Sequence, residues 1–356
     1  MSNSAAHPYA GLTPDVVLDA LESFGWRGDG RQLALNSFEN RVYQVWMENG
    51  PPLVAKFYRP ARWSDAQILE EHAFVRELAE HEIPVVAPMG TGSMGTDATS
   101  GSVPDFSPAS SSSNPATSAS VPTLHQHAGF RFAVYPRRGG RAPELENRET
   151  LEWIGRFIGR IHAVGAARPF VERPALDDQS FGAEPRDWLL AHEFVPTDLR
   201  EAWQRIAEQA LEGVARCYER AGAPRAIRLH GDCHAGNILW THEGPHFVDF
   251  DDARSGPALQ DLWMLLSGER AAMTRALGDV LAGYEDFMEL DRRELYLVEA
   301  LRTLRLLHYS AWLARRWDDP AFPAAFPWFN THRYWQDRIL ELREQVALMQ
   351  EPPLAV

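Results

Sequence analysis

The stretch from Leu229 to Asp252 constrains the fold of this chain more than any other part of the sequence. It contains two short apolar runs, Ile-Leu-Trp and Phe-Val, separated by a polar turn with Gly244. Apolar runs joined by a short glycine-containing turn predict a β-hairpin. Asp232 and Asn237 precede the first predicted strand, and Asp249 ends the second. Because a hairpin returns the chain to the edge where it began, we predict that these three side chains converge.

Two aspartates and an asparagine at one edge suit phosphoryl transfer. In that chemistry one aspartate accepts the proton of a hydroxyl group, while an asparagine and a second aspartate hold magnesium. The spacing of Asp232 and Asn237 equals that of a kinase catalytic loop, and Asp249 stands where the magnesium-binding Asp-Phe-Gly motif would begin. Mg²⁺ prefers oxygen ligands. We therefore predict Asp232 and Asp249 as catalytic residues, and Asn237 and Asp249 as the metal ligands.

Two other interpretations of this stretch stay open. An aspartate-rich hairpin is often simple turn chemistry. Alternatively, His230, His234 and Asp232 bind a transition metal, since histidines four residues apart share one face of a helix. Gly231 and Gly236 interrupt a helix there, which weakens the second alternative.

The run His-Gly-Asp-Cys-His-Ala-Gly-Asn from His230, followed by an aspartate that closes a hairpin, resembles the aminoglycoside phosphotransferase and choline kinase superfamily. Within it, the sequence is similar to a family of bacterial stress-response serine/threonine protein kinases. That similarity covers nearly the whole chain except residues of about 91–128. Further matching segments are Leu35–Gln44, Ala55–Pro60, Ile68–His72, Gly256–Leu266, Asp319–Pro323 and Glu351–Leu354.

The resemblance implies an α+β, two-lobed protein-kinase-like fold. The predicted nucleotide-binding lobe covers residues 1–135 and consists of a small antiparallel sheet with one helix. A hinge at 136–141 leads to a mostly helical lobe at 142–356. The order of predicted elements agrees with this: an opening helix from Pro14, strands at 33–35, 41–47 and 53–58, a helix at 65–80, and another strand at 129–135.

The resemblance also implies an ATP- and Mg²⁺-dependent serine/threonine protein kinase that acts in the stress response, with ATP and proteins, itself included, as substrates. The three hairpin residues equally serve a kinase for a small molecule such as an amino alcohol, a sugar or an aminoglycoside. A nucleotide-binding regulator without turnover is a third alternative.

Lys56 lies inside an apolar strand, where burying a lysine is costly unless it is paired. In a kinase small lobe such a lysine contacts the nucleotide phosphates and is held by a helix glutamate. Glu71 is the candidate glutamate, because Glu70 lies on another face of the helix. Ser37 matches the family's nucleotide-contacting serine, in a loop without the Gly-x-Gly-x-x-Gly pattern. A solvent-facing lysine and an ordinary turn serine are the alternatives.

Outside the hairpin, several residues are predicted to support the site or the core. Asp261, near the start of a predicted helix, braces the catalytic loop by accepting backbone hydrogen bonds, as the resemblance implies. His162 is expected to be a packed histidine, and Cys233 a small buried residue. The C-terminal aromatic residues are explained equally well by a helical core and by an acceptor site.

Residues 91–128 break the pattern. The segment 91–123 is rich in serine and lacks lysine and arginine. Such a composition buries too little apolar surface to offset the entropy of ordering. We predict a disordered insertion at about 91–128.

The composition limits the partners and the location. Acidic residues outnumber basic ones, 49 to 35, for a formal net charge of −14. This argues against a nucleic-acid or anionic-membrane partner, since both are polyanions. The two cysteines form no disulfide framework, and the first ten residues lack the pattern of a signal peptide. No apolar run approaches the roughly 20 residues needed to span a bilayer. We expect a cytoplasmic monomer.

Overall fold

The computed structural model describes residues 7–91 and 121–356. The chain divides into two compact units. The smaller contains Tyr9–Asp65 and the described part of Ala87–Arg137, and the larger contains Ala66–Val86 and Arg138–Val356. The predicted disorder of the serine-rich segment concerns residues 92–120, which lie outside the described residues.

The smaller unit is a five-stranded antiparallel sheet with one helix. Its strands, in the order in which they pair, are β1 (Gly28–Ala34), β2 (Arg41–Met47), β3 (Leu53–Phe57), β5 (Phe130–Pro136) and β4 (His125–His127). Helix α1 (Pro14–Glu22) is capped by Thr13, whose hydroxyl accepts the Val16 N–H, and Pro14 occupies the first helical position. Its apolar face packs on the sheet, where the core includes Trp26, Val45, Phe57 and Phe132.

Two strand predictions needed correction. Strand β1 begins at Gly28 and not at the predicted Leu33. The residues before Leu33 are rich in glycine and charge, and they form an irregular edge strand whose pairing with β2 shifts register between Gly28 and Gln32. Strand β4 lies inside the predicted insertion, which therefore extends too far at its C-terminal end. His125 of β4 is buried and packs on the rings of Phe24 and Trp26. A His-Gln-His run has no apolar alternation and therefore carries no strand signal.

The larger unit is mostly helical. Its long helices are α2 (Asp65–Glu80), α3 (Arg148–Gly165), α5 (Thr197–Ala221), α7 (Arg270–Tyr284), α8 (Val298–Ala314) and α10 (His332–Leu348), with shorter helices α4 (Glu184–Ala191), α6 (Leu259–Trp263) and α9 (Ala321–Ala325). Two small two-stranded sheets complete it: β6 (Ile227–Leu229) with β9 (Arg254–Gly256), and β7 (Ile238–Thr241) with β8 (Gly244–Phe247). The predicted α+β fold class is confirmed.

Helix α2 is anchored within the larger unit. The Glu70 carboxylate accepts the backbone N–H groups of residues 171–173. Glu77 pairs with Arg228 at 2.7 Å, and Phe74 packs edge-on against Phe250. Beyond the helix, Val85 forms a parallel bridge with Phe247 of β8.

The assignment of residues 1–135 to a single nucleotide-binding lobe stays a prediction, since compactness does not define which residues bind a nucleotide.

Helices α3 and α7 approach so closely that glycine is required at the contact. A Cβ at Gly155 would lie 1.9 Å from the Val280 carbonyl oxygen, and one at Gly283 would lie 1.9 Å from that of Glu152. Backbone therefore meets backbone at this crossing.

Among the described residues, no helix is both long and apolar enough to cross a membrane.

Candidate active site

The predicted hairpin exists, and it brings its three polar residues together. Strands β7 and β8 pair antiparallel from Ile238–Phe247 to Thr241–Gly244. At the open end, the Val248 N–H donates to the Asn237 carbonyl at 3.0 Å, one residue before Asp249. The Asn237 Nδ2 donates to the Asp232 carbonyl at 2.9 Å. One short network thus connects the strand ends from which Asp232, Asn237 and Asp249 project.

Asp261 braces the loop that carries Asp232, as predicted. Its Oδ2 accepts the His230 N–H and its Oδ1 accepts the Gly231 N–H, both at 2.8 Å. His162 is a packed histidine, also as predicted: its Nε2 lies 3.1 Å from Asp261 Oδ2 and its Nδ1 lies 3.0 Å from the Tyr284 hydroxyl. The loop is therefore fixed to helices α3, α6 and α7 through one buried carboxylate.

Helix α6, which carries Asp261, is itself held by a buried carboxylate. Glu294 accepts the Leu259 N–H at 2.9 Å and is 4% exposed. Burial raises the pKa of Glu294 to about 7. The support of the catalytic loop therefore includes a group that titrates near neutral pH.

Gly231 permits a close backbone crossing beside Asp232. Its φ is 86°, and a Cβ there would lie 2.1 Å from the Asp252 carbonyl oxygen. The side chain of His230 is directed inward: its Nε2 lies 2.9 Å from the Val248 carbonyl and its Nδ1 accepts the Asp232 N–H at 3.3 Å. Both ring nitrogens of His230 thus have backbone partners, whereas a metal ligand would need one nitrogen for the metal.

Asp249 has a left-handed backbone, with φ 59° and ψ 64°. Such values are uncommon for a residue with a Cβ and often mark functional turns. The short helix Phe250–Asp252 follows at once, and Phe250 packs 4.4 Å from the His230 ring, centroid to centroid. The Arg173 Nε donates to the Ala253 carbonyl at 2.7 Å and secures the far side of this turn.

The carboxylate of Asp232 is flanked by two cationic or titratable groups. Arg305 of α8 donates from Nη1 to Oδ1 at 2.6 Å. The Nε2 of His234 lies 3.5 Å from Oδ2, while its Nδ1 accepts the Gly236 N–H. Burial raises the pKa of Asp232, but the His234 hydrogen bond and the Arg305 charge outweigh it, so this pKa lies below its usual value. The carboxylate is therefore ionised at neutral pH, as a proton acceptor must be.

Sequence reasoning missed Arg305. It lies 73 positions beyond Asp232, inside a helical run with no motif of its own. A pairing this distant leaves no local signal, and only the packing of α8 against the loop reveals it.

The donor set next to the hairpin fits a hard divalent cation. The Asn237 side-chain nitrogen donates to the Asp232 carbonyl. The side-chain oxygen of Asn237 is then available as a metal ligand. With the Asp249 carboxylate, this offers two oxygen ligands and no sulfur or imidazole, the combination that suits Mg²⁺. Within residues 7–91 and 121–356, no group of three His, Cys, Asp or Glu side chains is arranged to hold a metal by itself.

The three remaining predicted site residues lie outside the β7–β8 hairpin. In the smaller unit, Lys56 is on the central strand β3, 7% exposed, with its Nζ 5.4 Å from the Tyr58 ring. Ser37 is half-buried in the β1–β2 loop, next to the exposed Phe38. In the larger unit, Glu71 is a buried residue of α2.

Burial bears on two further expectations. Cys233 is fully buried, and burial raises the pKa of its thiol far above the usual value, which makes a thiolate unfavourable. Of the C-terminal aromatic residues, Phe322, Phe329 and Trp335 belong to the helical core, while Tyr309, Trp312 and Trp317 are partly buried against it.

Comparison with known proteins agrees with this geometry. The sequence model of the phosphotransferase enzyme family matches residues 31–297. Stress response kinase A of Escherichia coli (strain K12) is 42% identical over 352 residues, which cover 99% of this chain and 98% of that protein. The serine/threonine protein kinase RdoA of Salmonella typhimurium (strain LT2) is 41% identical over the same shares.

Solved structures show the same fold. Amicoumacin kinase hAmiN in complex with AMP-PNP, Ca²⁺ and Ami superposes with a TM-score of 0.63 at 19% identity, covering 92% of this chain and 90% of that one. A microcompartment-associated aminopropanol kinase gives 0.64 at 18% identity, covering 95% and 97%.

Proposed function

Because this chain belongs to the phosphotransferase enzyme family, we propose that it is a kinase that transfers the γ-phosphoryl group of ATP to serine or threonine hydroxyls of proteins. The observation that carries the proposal is the network that joins Asp232, Asn237 and Val248, the residue before Asp249, at the open end of the β7–β8 hairpin. That set of groups is what in-line phosphoryl transfer to a hydroxyl requires.

In this proposal Asp232 orients the acceptor hydroxyl and takes its proton. Its lowered pKa keeps it ionised, and Asp261 fixes the loop on which it lies. Asn237 and Asp249 would hold Mg²⁺, which, when bound, neutralises negative charge on the phosphates. Catalysis then comes mainly from positioning and from electrostatic stabilisation by fixed groups.

Ser37, Lys56 and Glu71 are proposed as nucleotide-binding residues. Lys56 supports this role best, because it is a buried lysine on the central strand β3, the place from which a kinase lysine contacts the nucleotide phosphates. Ser37 lies in a loop whose base is fixed: the Tyr9 hydroxyl donates to the Glu39 carbonyl at 3.0 Å, and Asn40 Oδ1 accepts the Arg59 N–H at 3.1 Å. The loop thus has an anchored base and an accessible tip.

The protein acceptor is supported by the relatives, which are named as a stress response kinase and a serine/threonine protein kinase. A role in the stress response and autophosphorylation belong to the same proposal. A cytoplasmic setting is supported by two buried cysteines that form no disulfide. The structural neighbours named for amicoumacin and aminopropanol keep a small-molecule acceptor as the second candidate.

The acceptor class can be decided with γ-labelled ATP and Mg²⁺. The protein is incubated alone, with a cytoplasmic protein extract, and with a panel of amino alcohols, sugars and aminoglycosides. We expect label on serine or threonine of proteins, identified by phosphoamino-acid analysis. Label that appears only on a metabolite would assign the second candidate function, and ATP binding without turnover in any arm would assign a regulator.

A further inference from the structure

The arginine beside Asp232 is the feature of this site that the general mechanism leaves unused. Arg305 lies on α8 with its side chain 39% exposed, and its Nη1 is 2.6 Å from Asp232 Oδ1. A guanidinium group carries five N–H donors. Within the described parts of the chain, its other N–H groups make no hydrogen bond to protein. The partly exposed guanidinium group therefore keeps N–H donors for a ligand next to the proposed proton acceptor.

From Arg305, a cationic and aromatic strip runs along the partly exposed side of α8 and continues past its last residue, Ala314. Tyr309, Trp312 and Arg316 follow at helical spacing, all half-buried. The rings of Tyr309 and Trp312 stack at 5.6 Å, and the Arg316 guanidinium lies 5.1 Å from the Trp312 ring. Burial raises the pKa of Tyr309, and the charges of Arg305 and Arg338 oppose this shift.

This strip contrasts with the charge of the molecule. The chain has a formal net charge of −14, yet the only acidic residue of α8 is Glu299 in its first turn. The Glu299 carboxylate forms an ion pair with the Arg302 guanidinium group, with 3.0 Å between Oε2 and Nη1. The side chains that α8 presents next to Asp232 therefore suit an anionic ligand.

The ion pair also sets a condition on the acceptor. A hydroxyl that approaches Asp232 must hydrogen-bond to a carboxylate that already has Arg305 on Oδ1. A neutral acceptor has to share that carboxylate, and a cationic one meets the guanidinium charge. An acceptor with its own carboxylate supplies a second anion for Arg305, so the guanidinium stays paired when Asp232 turns to the hydroxyl.

We propose that Arg305 is a specificity-determining residue for the acceptor and binds a carboxylate next to the hydroxyl, so that the preferred acceptor is a serine or threonine within an acidic protein segment. This inference rests on the proposed kinase function and narrows its acceptor class. It also separates the two candidate functions, because amino alcohols and aminoglycosides are cations.

The test compares three peptides that differ only in the residues flanking one serine: aspartate and glutamate, asparagine and glutamine, or lysine. Phosphorylation with Mg·ATP is measured for the wild type, Arg305→Gln and the control Arg315→Gln. Arg315 lies at the exposed end of the same helix, paired with Glu184. We expect the wild type and the control to prefer the acidic peptide by about tenfold or more in kcat/KM. Arg305→Gln should lose this preference, mainly through KM.

Two further readouts separate this role from others. Hydrolysis of ATP without peptide reports phosphoryl transfer alone, and fluorescence anisotropy of the labelled acidic peptide reports binding without chemistry. A loss in Arg305→Gln that is equal for all peptides and for ATP hydrolysis would show that Arg305 acts only on Asp232 or the phosphates. An unchanged preference, or a wild type that prefers the neutral or basic peptide, would equally overturn the inference. If no reaction occurs in any arm, the proposed function fails, and the anisotropy still shows whether Arg305 selects acidic segments.

Discussion

Asp261 ties the loop of Asp232 to the helical core through both of its carboxylate oxygens. The sequence pointed to this residue only through the family resemblance, since an aspartate in a first helical turn is common. The trio of Asp232, Asn237 and Asp249 was predictable because hairpin and motif spacing are local properties. Arg305 was not, because its partner is distant in sequence.

Replacing Asp261 by asparagine should weaken the loop and slow catalysis. An amide has a single acceptor oxygen, so its NH₂ group would face one of the two backbone N–H donors of residues 230 and 231. The loss of a buried charge-assisted bond should lower the free energy of unfolding by about 1–3 kcal/mol. Urea denaturation and ATP turnover measure the two effects.

The surface variant Asp286→Asn is the control for this substitution. It removes an exposed ion pair with Arg156 and should change stability by less than about 1 kcal/mol. Equal stability and turnover in the Asp261 and Asp286 variants would mean that Asp261 does not brace the loop.

Glu294 should make stability depend on pH. Its pKa is raised to about 7 from 4.5, so the folded state binds more protons between these values. This contribution is fully present below pH 4.5 and is lost as the pH rises through 7, by at most about 3 kcal/mol. In Glu294→Gln the dependence should disappear, so the variant gains stability relative to the wild type from pH 5 to pH 8. Parallel curves for both proteins in urea denaturation across that range would refute the assignment.

At the level of helices and strands, the sequence predicted most of what has strong periodicity. Helix α2 was predicted with its observed ends. Strand β4 and the start of β1 were missed, since polar edge strands carry no apolar alternation. The anchoring of α2 by Glu70 depends on residues about 100 positions away, which no local pattern encodes.

Gly155→Ala should disrupt the contact between α3 and α7. The new methyl group would lie 1.9 Å from the Val280 carbonyl oxygen, so the helices must move apart. Overpacking of backbone against backbone should cost about 3 kcal/mol or more. Thermal and urea denaturation followed by circular dichroism would measure this cost.

Gly278→Ala, in α7 itself, is the matched control. Nothing lies within 4 Å of a Cβ at that position. The better helix propensity of alanine should therefore raise stability by up to about 1 kcal/mol. If both alanine variants behaved alike, the inferred closeness of the two helices would be incorrect.

For the whole molecule, the resemblance and the element order were enough to predict the α+β fold class. The partition into units could not be derived as easily, because it depends on which distant surfaces pack. The residues on either side of the serine-rich segment, Thr91 and Pro122, lie next to each other. The Thr91 N–H donates to the Pro122 carbonyl at 3.4 Å, so the two ends of the segment are adjacent.

Removal of residues 92–120 should therefore leave the fold and the activity unchanged. A two-residue Gly-Ser link between 91 and 121 spans the gap without strain, and a shorter loop costs slightly less closure entropy. We expect an unchanged or slightly higher melting temperature and wild-type turnover of ATP. A collapse of β4–β5 pairing, seen as lost stability, would show that the segment contributes to the smaller unit.

The central claim is that phosphoryl transfer from Mg·ATP depends on the carboxylate of Asp249 at the end of the β7–β8 hairpin. The most direct measurement is the turnover of γ-labelled ATP by Asp249→Ala beside the wild type and the exposed-surface control Asp187→Ala, with folding checked by circular dichroism. We predict a folded variant whose turnover is lower by at least about a hundredfold, and a control at the wild-type rate. Wild-type turnover in folded Asp249→Ala would contradict the account.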